Sequence, residues 1–267
     1  MTTRRTALKS LAGVFMAAGS TSPGTRPPAA SAQPANPAPG AFRKAVLISM
    51  LPKERSYAER FAIAGAAGFE AVEMQTIERP DEATEIAEAA STLLVPAVVD
   101  PATSYRDAWS RSQRVIRERL LPVATQLKVT IAVEEVWNKF LLSPIEFARY
   151  VDEFDSPFVR AYFDVGNVVF YGYPQDWIRT LGARIARVHL KDFQLDRPNG
   201  RFAWKNLGEG DVDWPAVSAA LAEVGYRGYV TTEVPGGDAA YLRDLAGRID
   251  RLLRSPPAAP GGNLGVA

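Results

Sequence analysis

Thr130-Ile131-Ala132-Val133-Glu134-Glu135-Val136 is a short, apolar, β-branched run that ends in acid, and its ending decides how the chain is read. Runs of this composition form strands. Three others close on a possible metal ligand, two on an acid and one on the single His: Tyr162-Phe163-Asp164-Val165, Thr231-Thr232-Glu233-Val234 and Val188-His189-Leu190-Lys191. Counting outward from them, strands are predicted over 45–51, 71–75, 92–99, 130–136, 159–165, 185–190 and 229–234. Longer amphipathic stretches lie between, and that alternation predicts βα units on a parallel sheet. An open doubly wound sheet would scatter the polar strand ends along a crevice, whereas a closed barrel gathers them around one mouth. Leu51-Pro52-Lys53-Glu54 follows the first strand, so no Gly-rich phosphate turn opens a dinucleotide fold. The expected fold class is therefore α/β, a TIM-type (β/α) barrel, with seven of the usual eight βα units countable and the barrel to that extent incomplete.

The helices carry their own punctuation. Trp109, Ile116, Leu120, Val123 and Leu127 recur at helical spacing between residues 105 and 128, and Pro122 is expected to kink that helix. A later helix is expected to start at an Asp213 cap with Pro215 in its first turn, and to stop at Gly225.

Both ends differ from the body. Residues 1–40 hold Arg4, Arg5, Lys9 and Arg26 and no acid. Thr3-Arg4-Arg5-Thr6-Ala7-Leu8-Lys9, a weakly apolar stretch from Leu11 to Ala18, and the small residues Ala30-Ser31-Ala32 follow the order of a twin-arginine signal. A Pro/Ala-rich linker completes this segment, so export and a periplasmic location are expected. Residues 41–254 are read as the barrel and 255–267 as a disordered tail.

Composition limits the chemistry. Beyond residue 40 the chain has 27 Lys and Arg against 30 Asp and Glu, which argues against a nucleic-acid partner. No apolar run approaches the roughly 20 residues of a membrane span. With no Cys and a single His, thiolate sites and multi-histidine zinc clusters are excluded, and carboxylates must do most of the acid–base work. Three carboxylates and an imidazole at one barrel mouth form an oxygen-dominated site that suits Mn²⁺, Mg²⁺ or Co²⁺, with Zn²⁺ admitted. One divalent metal ion would also relieve the repulsion among those acids. Spacing does not choose between Glu134 and Glu135, which only strand alternation separates.

The sequence resembles the xylose isomerase-like TIM-barrel proteins, the sugar phosphate isomerase/epimerase group that includes ketose 3-epimerases and hydroxypyruvate isomerase. The residues that carry the resemblance are Glu135-Val136-Trp137-Asn138-Lys139-Phe140, Asp164-Val165-Gly166-Asn167, His189-Leu190-Lys191-Asp192 and the loop Leu207-Gly208-Glu209-Gly210-Asp211-Val212-Asp213-Trp214, with the Glu233 strand closing the set. The resemblance implies that Glu135, Asp164, His189 and Glu233 bind one divalent metal and that Glu135 and Glu233 are the acid/base pair. Asn138, Asn167 and Lys191, each within three residues of a ligand, are expected to contact substrate. Arg201 and Lys205 could meet a phosphate, solvated loop charge being the competing reading. Leu141 and Asn167 stand where free-ketose epimerases of this family carry a Glu and a His, which points toward the sugar-phosphate branch. The family's third strand and helix should intervene near Ala89-Ala90-Ser91-Thr92, where this chain has an abrupt join.

The implied function is isomerisation or epimerisation of a small sugar or sugar phosphate by proton transfer through an enediolate. An exported carbohydrate-binding barrel without turnover and an inosose-type dehydratase are the alternatives. A base-excision endonuclease of related fold fails on the single His and the slightly acidic body. A homodimer is compatible with the reading.

Overall fold

The computed structural model describes residues 42–74 and 92–253, and the backbone alone of Val14–Ala17 and 93–96. The remainder of the expected export signal and linker and the expected tail from 255 lie outside the described residues.

Seven strands run parallel, each paired to its neighbours: β2 (Arg43–Leu47), β3 (Ala71–Met74), β4 (Thr92–Pro96), β5 (Thr130–Glu134), β6 (Val159–Asp164), β7 (Ile185–Leu190) and β10 (Tyr229–Thr232). They lie around the barrel in the order β3-β2-β10-β7-β6-β5-β4. Between β3 and β4, where the sequence lacks a unit, β1 (Val14–Ala17) closes the ring by pairing antiparallel with β3, with one further pair to β4. The apolar stretch read from sequence as part of an export signal thus supplies a strand here. The physical reason is available: two open parallel edges offer unpaired backbone groups to any short apolar segment within reach.

Period-two alternation sorts the side chains. Val46, Val72, Ile131, Val133, Phe163, Val188 and Val230 are buried outward against the helices in one continuous apolar cluster. The alternate positions face the barrel axis. Their registers align Glu134 with Tyr162, Asp164 with His189, His189 with Thr231, Thr231 with Ala45, and Leu47 with Glu73. One register shift between Ala161 and Tyr162 matters here: without it Asp164 would sit beside Val188 rather than His189.

The helices follow their sequence signals. α1 (Tyr57–Ala67) opens on a reciprocal Ser56–Glu59 capping box and ends at Gly68, whose φ of 98° suits glycine. The helix expected over 105–128 is α2 (Tyr105–Val115) and α3 (Leu121–Leu127), joined by a π-helical turn at Ile116–Leu120. The Pro122 ring crowds the preceding turn, and the Leu121 N–H reaches back five residues to Ile116 O. α4 (Pro144–Asp152) and α5 (Pro174–Leu181) cover the next strands. α6 (Trp214–Glu223) starts at the Asp213 cap as expected, and α7 (Ala239–Leu252) closes the layer. No described helix is long and apolar enough to cross a membrane. The stretch from 193 to 208, outside every predicted strand, is largely an antiparallel hairpin, β8 (Asp192–Asp196) with β9 (Arg201–Lys205), standing over the barrel mouth.

Candidate active site at the barrel mouth

His189 is the hub. Its Nδ1 lies 2.6 Å from Glu134 Oε1, 3.4 Å from Glu233 Oε2 and 3.7 Å from Asp164 Oδ2. Its Nε2 lies 3.1 Å from Glu73 Oε1. Glu73 in turn accepts a hydrogen bond from the Tyr162 hydroxyl, which also sits 3.2 Å from Thr231 Oγ1. Lys191 completes the cluster, with Nζ 2.7 Å from Glu233 Oε2 and 3.0 Å from Asp164 Oδ2. Glu73, Glu134, Asp164 and His189 are buried, and Glu233 keeps 30% of its side chain exposed toward the cavity.

Crowding acids out of water has the expected electrical consequences. Burial raises the Glu134 carboxyl above its usual range against the pull of His189, and raises Asp164 to about 7. Burial alone would lower His189, but the carboxylates of Glu73, Glu134 and Glu233 outweigh it and hold the imidazole well above its ordinary value. Glu233 is held below the carboxylate range, because the charges of His189 and Lys191 overcome its desolvation.

One nitrogen of His189 and one carboxylate oxygen each from Glu134, Asp164 and Glu233 all lie within 4.8 Å of one another. With bonds of roughly 2.0–2.2 Å, ligands on opposite sides of an ion stand about 4.2 Å apart, so this donor set fits one divalent cation with little movement. Asp164 Oδ2 is buried with Lys191 Nζ at 3.0 Å and His189 Nδ1 at 3.7 Å as its polar neighbours. Glu73 on Nε2 fixes the ring and would leave Nδ1 to face a cation.

The residues named from sequence divide here. Asp164, His189 and Glu233 come together as expected. Glu135 does not join them, and Glu134 takes its place, a correction that follows from alternation. Glu134 shares the inward parity of Ala132 and Tyr162, which turns Glu135 outward toward Phe140, Leu141 and Trp177. There it is fully buried: Oε1 accepts the Asp164 N–H at 2.7 Å, Oε2 has no hydrogen-bond partner, and burial lifts its carboxyl well above the usual range. Lys191 and Asn167 line the cavity. Asn167 also braces the ligand loops, donating its backbone N–H to Asp164 Oδ1 at 2.9 Å and its Nδ2 to Glu135 O at 2.9 Å. Asn138 is not among the cavity-lining residues. Its side chain donates to Ala97 O and accepts from the Phe140 N–H, tying the β5 loop to the end of β4. Lys205 lines the cavity.

Other motif residues shape the mouth. Asp192, fully buried, accepts from the N–H groups of Phe193, Gly208 and Val212 and from Trp214 Nε1, which fastens the 206–214 loop to the end of β7. A side chain at Gly166 would put Cβ 2.6 Å from Lys191 Cγ, so glycine there lets Lys191 lie across the Asp164 loop. Glu73 and Tyr162 were not singled out by any motif. The signal that finds them is parity, since each falls on the inward face of its strand, level with or one step below the ligand layer.

A family-wide sequence profile for the xylose isomerase-like TIM barrel matches residues 77–252. The chain belongs to that family. Among its relatives, a putative L-ribulose-5-phosphate 3-epimerase of Escherichia coli K12 is 32% identical over 114 residues, covering 42% of this chain and 40% of the relative. An L-ribulose-5-phosphate 3-epimerase of Escherichia coli O1:K1 is 28% identical over 151 residues, 52% of each. The chain thus spans about half the length, or less, of the curated relatives it matches. Among solved structures, a D-allulose 3-epimerase from Methylomonas sp. superposes with a TM-score of 0.60 at 19% identity, covering 78% of this chain and 94% of that one. An L-ribulose 3-epimerase gives 0.62 at 16% identity, covering 80% and 95%. At these identities the likeness is one of fold.

Proposed function

We propose that the protein is a divalent-metal-dependent sugar epimerase or isomerase that moves a proton at the carbon beside a ketose carbonyl. The observation that carries this reading is the convergence of Glu134, Asp164, His189 and Glu233 on one point at the base of an open cavity. Those four would hold the metal, which when bound supplies a Lewis acid for the carbonyl and a counter-charge for the enediolate.

The chain's own groups divide the proton work. Glu233, kept ionised by Lys191 and open to the cavity, takes the proton. Glu134, buried at the end of β5, is the partner that returns one. The two reach the site from β5 and β10, which β6 and β7 separate, as an inversion using opposite faces of the substrate carbon requires. Lys191, beside both Asp164 and Glu233, is placed to donate to a substrate oxygen.

The test is metal content by elemental analysis together with exchange of the α-proton of ketoses into D₂O. The wild-type chain should bind near one Mn²⁺ or Co²⁺ and exchange. His189→Ala should lose the metal, and Glu233→Gln should lose exchange while staying folded. Exchange that survives Glu233→Gln would refute the assignment.

A further inference from the structure

The cavity above the cluster is larger and more aromatic than a short sugar needs. Its volume is about 640 Å³. Granting each of the ten non-hydrogen atoms of a ketopentose a water's share of about 30 Å³, such a sugar fills less than half. Trp137 after β5 and Trp204 on β9 line one wall, within a cluster of rings that Phe170 after β6 and Phe202 on β9 complete. Trp137 packs against Phe202, Trp204 and Phe170 with centroids 4.8, 5.3 and 5.6 Å apart. These four side chains remain 37–49% exposed, although Phe193, buried beneath, offers the same cluster an interior. They are also held in place. Trp137 Nε1 donates to Asn167 O at 3.0 Å, and Lys191 Nζ lies 4.9 Å from the Trp204 ring centre. A preorganised exposed aromatic surface continuous with a charged floor marks a binding site rather than ordinary surface.

The charges at the mouth point the same way. Among the described residues lining the cavity there is no arginine, and the two lysines are Lys191, already paired with Asp164 and Glu233, and Lys205. Among those described residues a phosphate finds no bidentate guanidinium. We propose that the substrate is a sugar bearing a second, uncharged ring, the reacting sugar lying on the carboxylate–histidine floor and the second ring lying face-on against Trp137 and Trp204. This rests on the cavity being a sugar site, and not on the acid/base assignment within it.

The test is binding of four probes to the full chain: cellobiose, phenyl β-D-glucopyranoside, D-ribulose and D-ribulose 5-phosphate, by calorimetry and saturation-transfer NMR. At least one two-ring probe should bind roughly tenfold tighter than either pentulose, the scale of one good ring contact, with saturation strongest on its second ring. Preference for cellobiose identifies that ring as a sugar, and preference for the phenyl glucoside identifies it as an aryl group. Trp204→Ala should remove the preference, Trp204→Phe should retain it, and bound Mn²⁺ should stay the same in both. Tightest binding of ribulose 5-phosphate, or a preference untouched by Trp204→Ala, would overturn the proposal. So would a dimer that Trp204→Ala dissolves, because the wall would then be an interface. Ring preference without bound metal would overturn the epimerase reading and leave this one standing.

Discussion

The adjacent acids Glu134 and Glu135 give the sharpest test of how this site is built, because one peptide unit separates opposite faces of a strand. Glu134→Gln replaces a carboxylate whose Oε1 lies 2.6 Å from His189 Nδ1 by an amide of the same shape. The geometry of the mouth is kept, and one charge and one strong ligand are lost. Removing a partner that merely supports a ligand costs 10–100-fold in metal affinity, so a direct ligand should cost at least the upper figure, about 100-fold or ~2.7 kcal/mol of binding. Glu135→Gln should behave otherwise. The amide oxygen can still accept the Asp164 N–H, as Glu135 Oε1 now does at 2.7 Å. What disappears is an ionisable group that burial already drives toward its neutral form. Metal affinity should then stay within about threefold and stability within about 1 kcal/mol, the net scale of one exchanged hydrogen bond. Mn²⁺ titration followed by electron paramagnetic resonance reads the first quantity, and urea unfolding of the metal-free variants reads the second. A Glu135→Gln variant that loses the ion while Glu134→Gln keeps it would mean that the inward parity of β5 is wrong, and with it the whole ligand layer.

Two further outcomes follow from buried polar groups. Asp192→Ala leaves three backbone N–H groups and the Trp214 indole without their acceptor; at about 1–3 kcal/mol for each stranded donor, less what water recovers, the loss should exceed ~3 kcal/mol. Denaturant unfolding checks it, and a loss below ~1 kcal/mol would show that the 206–214 loop is held by something else. Glu73→Gln weakens the hold on His189 Nε2 while keeping an acceptor for Tyr162, and should lower metal affinity by about tenfold. An unchanged affinity would show that the ring needs no brace.

The fold was legible because its two periods do not overlap. Seven strand cores were readable as β-branched runs, and the Asp213 cap, Pro215 and Gly225 bounded α6 as their chemistry requires. The hairpin of β8 and β9 was not readable as strands: Arg201 to Trp204 are all exposed, so no buried face imposes a pattern on that strand. The π turn before Pro122 is likewise a local answer to a missing N–H that sequence signals only as a kink. Within the site, the structure gathers Asp164, His189 and Glu233 as the motifs imply, but it places Glu134 beside them where the motif alignment implies Glu135. Asn138 was assigned to substrate because it lies near the mouth in sequence, whereas its amide is consumed by Ala97 O and the Phe140 N–H.

The shortfall of one βα unit touches this site less than it touches the barrel. Glu73, Glu233, His189, Asp164 and Glu134 stand on or directly after β3, β10, β7, β6 and β5, and with β2 these strands form an unbroken run of six joined by parallel ladders. The antiparallel β1 lies beyond both ends of that arc: β4 separates it from Glu134, while at the other end it pairs with β3, Phe15 opposite Glu73. The registers that align Leu47 with Glu73 and Asp164 with His189 are fixed inside the arc by alternation against a buried outer face, where a slip of one residue would expose every core valine. Neither alignment depends on how the ring is closed. The ligand layer is therefore a property of the six-strand arc, and changes at the β3–β4 gap should be felt in stability before they are felt at His189.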